Sequence, residues 1–418
     1  MLLVDLTNTS HTRARTGIQR VARQLQAALC AQTNLRAVCY DPYQKAWRPI
    51  EPWEEKNLAA EIASATRGAS WPWPARLRGA LRRHARSATR MPEAKQLIVP
   101  EPFSPAVATA LPALFARVSG PRAALFHDAI ALKLPELTPT KNVARFPGYL
   151  RDLLAFDGIA AISEDSRQSL LDYWRWLGVV DVPPVQAIPL GLSLPASRAD
   201  KISDRKAQVS NAQSSTLNSL SALTGGSQPS TLGSRLPALL CVGSIEGRKN
   251  HAALLEACEQ LWAGGLRFEL RLIGLAHPQT GRAALDKIAE LKRAGRPLRY
   301  EGPVDDATVA AAYPSCQFTL YPSLMEGFGL PVLESLAYGK PCVCSNRGAL
   351  GEAARGGGCC ALDSVDAESL AAAIRRLLQD PAELAALAAA ARARTFKSWP
   401  DYASELTAWL ATLPRRAK

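Results

Sequence analysis

The chain has 418 residues, 47% hydrophobic and 21% charged, with a formal net charge of +13. That length exceeds one ordinary core and calls for two domains, and the composition excludes wholesale disorder. No window of roughly twenty apolar residues is free of charge, which excludes a membrane-spanning helix, and the nine cysteines, with no CxxC pair, suit buried thiols of a reducing cytoplasm better than disulfides or zinc ligands.

Taken in chain order, "MLLVDL" reads as a first strand rather than a signal peptide, since it lacks a basic start and a long apolar run. "TGIQRVARQLQAALCA" follows, with Ile18, Val21, Leu25 and Leu29 at helical spacing behind Thr16, a candidate N-cap. From Arg67 to Arg90 run seven arginines, with no acid between Glu61 and Glu93. Here "SWPWPARLRGALRRHARSA" places Trp71 and Trp73 ahead of a helix-like stretch. Leu77, Leu81 and Ala88 fall on one side of it, and Arg78, Arg82 and Arg86 on another. Two readings stand side by side: a basic amphipathic helix anchored by its tryptophans on an anionic bilayer, or a solvated helix whose arginines pair with acids elsewhere. No recognition motif accompanies the charge, so nucleic acid is not expected as a partner.

"KQLIVP", "RAALFHDAI", "GIAAIS" and "VQAIPLG" are further strands of the first half. Residues 196–236 then turn rich in serine, threonine, glutamine and glycine, the composition of a flexible insertion between domains. "PALLCVG", "FELRLIG", "LRYEG", "CQFTLYP" and "PCVCS" are strands of the second half. "HAALLEACEQLWAGG", "DATVAAAYPSC", "PVLESLAYG" and "AESLAAAIRRLLQD" are its helices. Alternation of this kind predicts an α/β fold of two doubly wound, Rossmann-like domains facing across a cleft. The boundaries fall at 1–195 and 237–395, with 396–418 a terminal helix.

Two stretches carry chemistry. In "TLYPSLMEGFGLPVLE" a strand ends at Tyr321, Pro331 suits the first helical position, and Gly327 and Gly329 allow close backbone approach. Amides from Gly327 through Phe328 and Gly329 to Leu330 would face a phosphate at that helix start. Glu326 and Glu334 flank the turn, and since carboxylates repel a phosphate, sugar hydroxyls are their natural partners. In the bland reading they are a loop acid and a first-turn helix acid. In "CVGSIEGRKNH" a strand leads through Gly243 to Arg248 and Lys249, two cations able to clamp a diphosphate or merely to decorate a turn.

The Glu326–Glu334 spacing resembles the E-x7-E signature of the retaining glycosyltransferases of family 4, which have the GT-B fold. "VGSIEGRKNH", "RLIG", "EGPVDD" and "YPSLMEGFGLPVLESLAYGKP" follow in that family's order, and "TGIQRVARQL", "FHDAIALKLPEL", "AAISEDSRQSL" and "IPLG" resemble its first-domain segments. "FKSWPDYASELTAWL" is similar to its terminal helix that crosses back to the first domain. The resemblance implies that Arg248 and Lys249 hold the diphosphate of a nucleotide-sugar donor, Glu334 the ribose, and Glu326 the transferred sugar near its reacting carbon. Gly17 would let the N-terminal loop close over the phosphates, and His127 would face the sugar; a hydrogen-bonded core histidine is the plainer reading of His127, but its place before Asp128 at a strand end favours the site. Ser244 stands where many relatives carry a further basic residue. Asp305–Asp306 is not a metal-binding DxD, so neither metal nor cofactor is expected.

The implied activity is retaining hexosyl transfer, GDP-mannose favoured over a UDP-sugar, to a lipid-linked glycan or surface polysaccharide at the inner face of a bacterial membrane. An epimerase or phosphorylase of the same fold and a catalytically silent membrane scaffold are the alternatives. A dehydrogenase is disfavoured because no GxGxxG follows the first strand.

Overall fold

The computed structural model describes residues 1–60, 68–85, 91–193 and 236–416. The serine-rich insertion falls almost wholly outside the described residues, as do Arg67, Arg86 and Ala88. In the first half β1 (Leu2–Asp5), β2 (Leu35–Asp41), β3 (Ala46–Pro49), β4 (Gln96–Val99), β5 (Arg122–Phe126), β6 (Gly158–Ala161) and β7 (Val185–Ala187) form one sheet in the order β3-β2-β1-β4-β5-β6-β7. Only β3 runs antiparallel, beside β2, with Tyr40 opposite Trp47. The predicted strands do not include β2 and β3, an edge hairpin whose turn places Lys45 at φ 55°.

In the second half β8 (Ala238–Val242), β9 (Glu269–Ile273), β10 (Leu298–Tyr300), β11 (Phe318–Tyr321), β12 (Cys342–Ser345) and β13 (Cys359–Leu362) are all parallel, in the order β10-β9-β8-β11-β12-β13. Strand order reverses between β1 and β4 in the first sheet and between β8 and β11 in the second. At such switch points the crevice beyond the strand ends is the natural ligand seat.

Helices cover both faces. Helix α1 (Gly17–Gln32) starts where predicted; the Gln19 carboxamide oxygen accepts from the Thr16 N–H at 3.0 Å and from its hydroxyl at 2.8 Å. Leu25 and Leu29 of α1 pack with Leu2, Val4 and Ala160 of the first sheet and with Tyr402, Leu406 and Leu410. Those last three belong to the helix Trp399–Thr412, so the chain's last described helix completes the first sheet's core. A short parallel bridge between Leu192 and Ser398 brings the two crossings of the chain together.

The arginine-rich segment folds as the helix Trp73–His84, and it corrects one expectation. Trp71 is only 8% exposed and packs against the rings of His11, Trp53 and Tyr43, so it is core and no membrane anchor. Ala75 and Gly79 form the buried side; at Gly79 even a Cβ would press on Tyr43 and Asp41. The leucines therefore face outward, with Trp73 at 72%, Leu77 at 49% and Leu81 at 58% exposure. Arg78 and Arg82 share the Glu51 carboxylate at 2.7 and 3.1 Å, the pairing with acids elsewhere that the solvated reading expects.

Candidate active site

The motifs after β8 and β11 meet because those strands are neighbours, with Leu240 beside Thr319. After β8 the chain passes Gly243 and makes a single turn at Gly247–Lys249. Asn250, left-handed at φ 54°, then starts the helix His251–Ala263. After β11 it runs through Ser323 and Glu326 to Gly329, whose φ of 89° makes it a glycine position, and into the helix Leu330–Ala337. Pro331 takes the second helical position. Pro331 has no N–H to offer there, and the Val332 and Leu333 N–H groups donate to the Gly329 carbonyl at 3.0 and 3.2 Å, which closes the first turn at the switch point.

Glu326 is the centre of the cluster. Its Oε1 receives Lys249 Nζ at 2.5 Å, Arg248 Nη1 at 2.9 Å and Ser323 Oγ at 2.5 Å. Lys249 Nζ also donates to the Tyr321 hydroxyl and lies over that ring. Burial would raise the Glu326 pKa, but Arg248 and Lys249 outweigh it and hold the carboxyl down at about 2. Burial lowers the Lys249 pKa, with Arg248 adding to the effect against the pull of Glu326. Arg248 Nε lies 3.4 Å from Glu246, whose carboxylate also takes the Ser244 hydroxyl at 2.5 Å. Two cations and two carboxylates are thus packed at the end of β8.

Glu334, buried on the next helix, is held from both sides. Arg20 of α1 donates to its Oε1, and the Tyr313 hydroxyl donates to Oε2 at 3.2 Å. Arg20 comes from the first domain, so this pair crosses the cleft, as does Arg15 with Asp306. The two predicted carboxylates do flank one glycine turn, yet in this structure their partners are protein cations and hydroxyls.

His127 is buried after β5, and its Nε2 donates to the Pro100 carbonyl at 2.7 Å; burial lowers its pKa. Its backbone lies against the glycine turn: a Cβ at Gly327 would run into the His127 carbonyl, and Ser166 Oγ bonds that carbonyl at 2.8 Å and the Gly327 carbonyl at 3.3 Å. The structure thus brings His127 to the turn as a well-bonded buried residue. Phe328 and Leu330 pack against both the first-sheet core and the Tyr321–Leu350 cluster, so their side chains join the domains. A Cβ on Gly17 would meet nothing within 4 Å, and one on Gly243 only the Tyr321 ring at 3.7 Å, so packing explains neither glycine.

Sequence reasoning missed Arg20, Tyr313, Tyr321 and Ser323. Ser323 and Tyr321 lie inside the quoted motif and were legible as strand-end polar groups; Arg20 and Tyr313 carried no such signal. One group among the described residues has metal-ligand chemistry, His11, Cys39 and Glu54. Arg48 forks onto both oxygens of Glu54 at 2.7 and 2.9 Å, so that group is a buried ion-pair network.

The profile of the family described as glycosyl transferases group 1 matches residues 227–394. The chain is 34% identical over 165 residues to O-antigen chain mannosyltransferase B of Escherichia coli, 39% of this chain and 42% of that protein. It is 24% identical over 349 residues to the serotype-specific mannosyltransferase WbdA of Escherichia coli, 80% of this chain and 37% of that one. The matched regions thus span less than half the length of these relatives. Among solved structures, sucrose-phosphate synthase from Thermosynechococcus elongatus superposes with a TM-score of 0.63 at 18% identity, covering 99% of this chain and 98% of its own. Anabaena HepE in complex with UDP-glucose gives 0.63 at 14% identity, covering 99% of both chains. At such identities the likeness shows the fold, which is GT-B. Residues 227–394 are accordingly a glycosyl transferases group 1 domain, set within a chain of GT-B fold.

Proposed function

We propose that this protein is a retaining, metal-independent glycosyltransferase that moves mannose or a similar hexose from a nucleotide-diphosphate sugar to a growing surface polysaccharide or lipid-linked glycan. The observation that carries the reading is the cluster of Arg248, Lys249 and Glu326 beside the helix start at Gly329, at the switch point between β8 and β11. Two cations gathered beside a helix start suit a leaving diphosphate, whose charge grows as the bond to the sugar breaks. In the reaction the bond from the anomeric carbon to the phosphate oxygen breaks. The acceptor hydroxyl oxygen bonds that carbon from the same face, and its proton passes to the departing diphosphate. Glu326 and Glu334 then exchange protein cations for sugar and ribose hydroxyls, and the open space over Gly17 receives the phosphates. GDP-mannose is the favoured donor because the mannosyltransferases above match this chain in sequence.

A thermal-shift screen against GDP, UDP, ADP and their sugars tests this, because a ligand at a hundredfold its Kd stabilises by about 2.7 kcal/mol. GDP and GDP-mannose should raise the Tm most, and transfer should survive EDTA. A larger shift with UDP-glucose would replace the donor assignment, and no shift with any of them would sink the donor site itself.

We further propose that the protein works on the cytoplasmic face of an anionic membrane, docked through the helix Trp73–His84. No helix among the described residues is long and apolar enough to cross a membrane. The support for docking is the outward stripe of Trp73, Leu77 and Leu81, beside exposed Arg76 and Arg83. Each arginine near such a surface contributes about 1 kcal/mol, screened by salt, whereas the apolar stripe is not screened. Pelleting with anionic vesicles should fall as salt rises yet keep a residue that Trp73→Ala with Leu77→Ala and Leu81→Ala removes. Equal pelleting with neutral and anionic vesicles would rule docking out.

A further inference from the structure

Arg248 and Lys249 are not free charge: Glu326 lies on both, and Glu246 lies beside Arg248. These four side chains sum to no net charge, whereas a nucleotide diphosphate brings at least two negative charges into the same crevice. The second domain by itself therefore compensates little of the ligand's charge, and Ser244 adds none, its hydroxyl being spent on Glu246. A cation from the facing domain would add a phosphate contact that these four do not supply.

Arg20 is placed to do so. It stands in the first turn of α1, next to Gln19, whose carboxamide ties down the Thr16 cap, so its Cα is fixed at the rim of the first domain. Its guanidinium reaches across the cleft to Glu334, one helical turn from the Gly329 helix start. It is more exposed than its counterparts: 38% of the side chain, against 20% for Arg248 and 9% for Lys249. Among the described residues its one side-chain bond runs from Nη2 to a single carboxylate oxygen, which leaves Nε and Nη1 to meet an anion. Arginine suits the task because its planar fork matches phosphate oxygens.

Resting on the reading of the crevice as a nucleotide-sugar site, we propose that Arg20 is the third cation of the diphosphate clamp. It is delivered from the facing domain and turns from Glu334 to the phosphates as the donor enters. The exchange frees Glu334 for the ribose hydroxyls and couples donor binding to closure, since Arg20 and the glycine turn lie on opposite domains. A competing role is a plain latch on Glu334, which the donor would have to displace.

The two roles differ in sign. Calorimetric titration of GDP, UDP and the nucleosides guanosine and uridine into wild-type protein, Arg20→Gln and Arg20→Lys separates them. If Arg20 meets the phosphates, Arg20→Gln weakens diphosphate binding by about tenfold or more, leaves nucleoside binding unchanged, and Arg20→Lys recovers part of the loss. If Arg20 is only a latch, Arg20→Gln binds the diphosphate as well as or more tightly than wild type, and the proposal is overturned. Equal losses for diphosphate and nucleoside also overturn it, because they report a disturbed pocket. Wild-type protein that binds neither GDP nor UDP removes the nucleotide-sugar reading and this assignment together.

Discussion

Glu326→Gln is expected to lower sugar transfer by on the order of a hundred- to a thousandfold while leaving nucleoside diphosphate affinity equal to wild type or slightly tighter. The substitution removes the charge that would face the reacting sugar, and it also removes a carboxylate that holds Arg248 and Lys249 away from the phosphates. Interactions that differ between ground and transition state appear in turnover rather than in binding. The same change leaves buried Lys249 and half-buried Arg248 without their shared carboxylate, although Glu246 still lies beside Arg248, so the free protein should melt lower, by an amount up to about 3–5 kcal/mol. Added nucleotide should restore much of that loss. Because the Glu326 pKa lies at about 2, the wild-type carboxylate remains ionised at pH 5, and assaying there should not mimic the variant. The linkage has the sign of a depressed acid: its stabilisation is complete above the ordinary carboxyl value and is lost as pH falls towards 2. Matching losses of affinity and turnover would show that Glu326 acts on the nucleotide instead.

Lys249→Ala should have the opposite profile. Lys249 is buried, and its ammonium is shared by Glu326 and the Tyr321 hydroxyl. Losing one charge-assisted hydrogen bond to a phosphate costs about 1.5–3 kcal/mol, so nucleoside diphosphate affinity should drop by roughly ten- to a hundredfold. The bare nucleoside should bind as before. Arg248 and Ser323 still hold Glu326, so the fold survives and the measurement is clean. Unchanged affinity in calorimetry would remove Lys249 from the site.

How much of this was legible in the residues differs from place to place. The parallel strands were readable because each is a short apolar run ending in Gly, Pro or a polar residue, as at "PALLCVG" and "CQFTLYP". The meeting of Lys249 with Glu326 was readable too, since both follow strand ends and the Glu326–Glu334 spacing has a family behind it. Partners brought from far along the chain were not readable. Arg20 and Glu334 are 314 positions apart, and nothing local in "GIQRV" announces a contact across a cleft. The error at Trp71 has the same origin: its neighbours His11 and Trp53 come from other segments, so an aromatic beside arginines read as an anchor although it closes a core. The hairpin of β2 and β3 went unseen because Pro49 and the polar turn before it resemble a loop.

The helix Trp399–Thr412 has a bearing on how the protein is made. Tyr402, Leu406 and Leu410 supply core that the first sheet and α1 lack without them. On the ribosome, that sheet emerges first and must wait, one apolar face covered by α1 but still missing Tyr402, Leu406 and Leu410, while the entire second sheet is translated. At roughly 5–20 residues per second the wait is on the order of ten seconds or more. During it the half-finished first domain is a client for whatever shields nascent apolar surface, and a stop codon before Ser398 would leave it so for good.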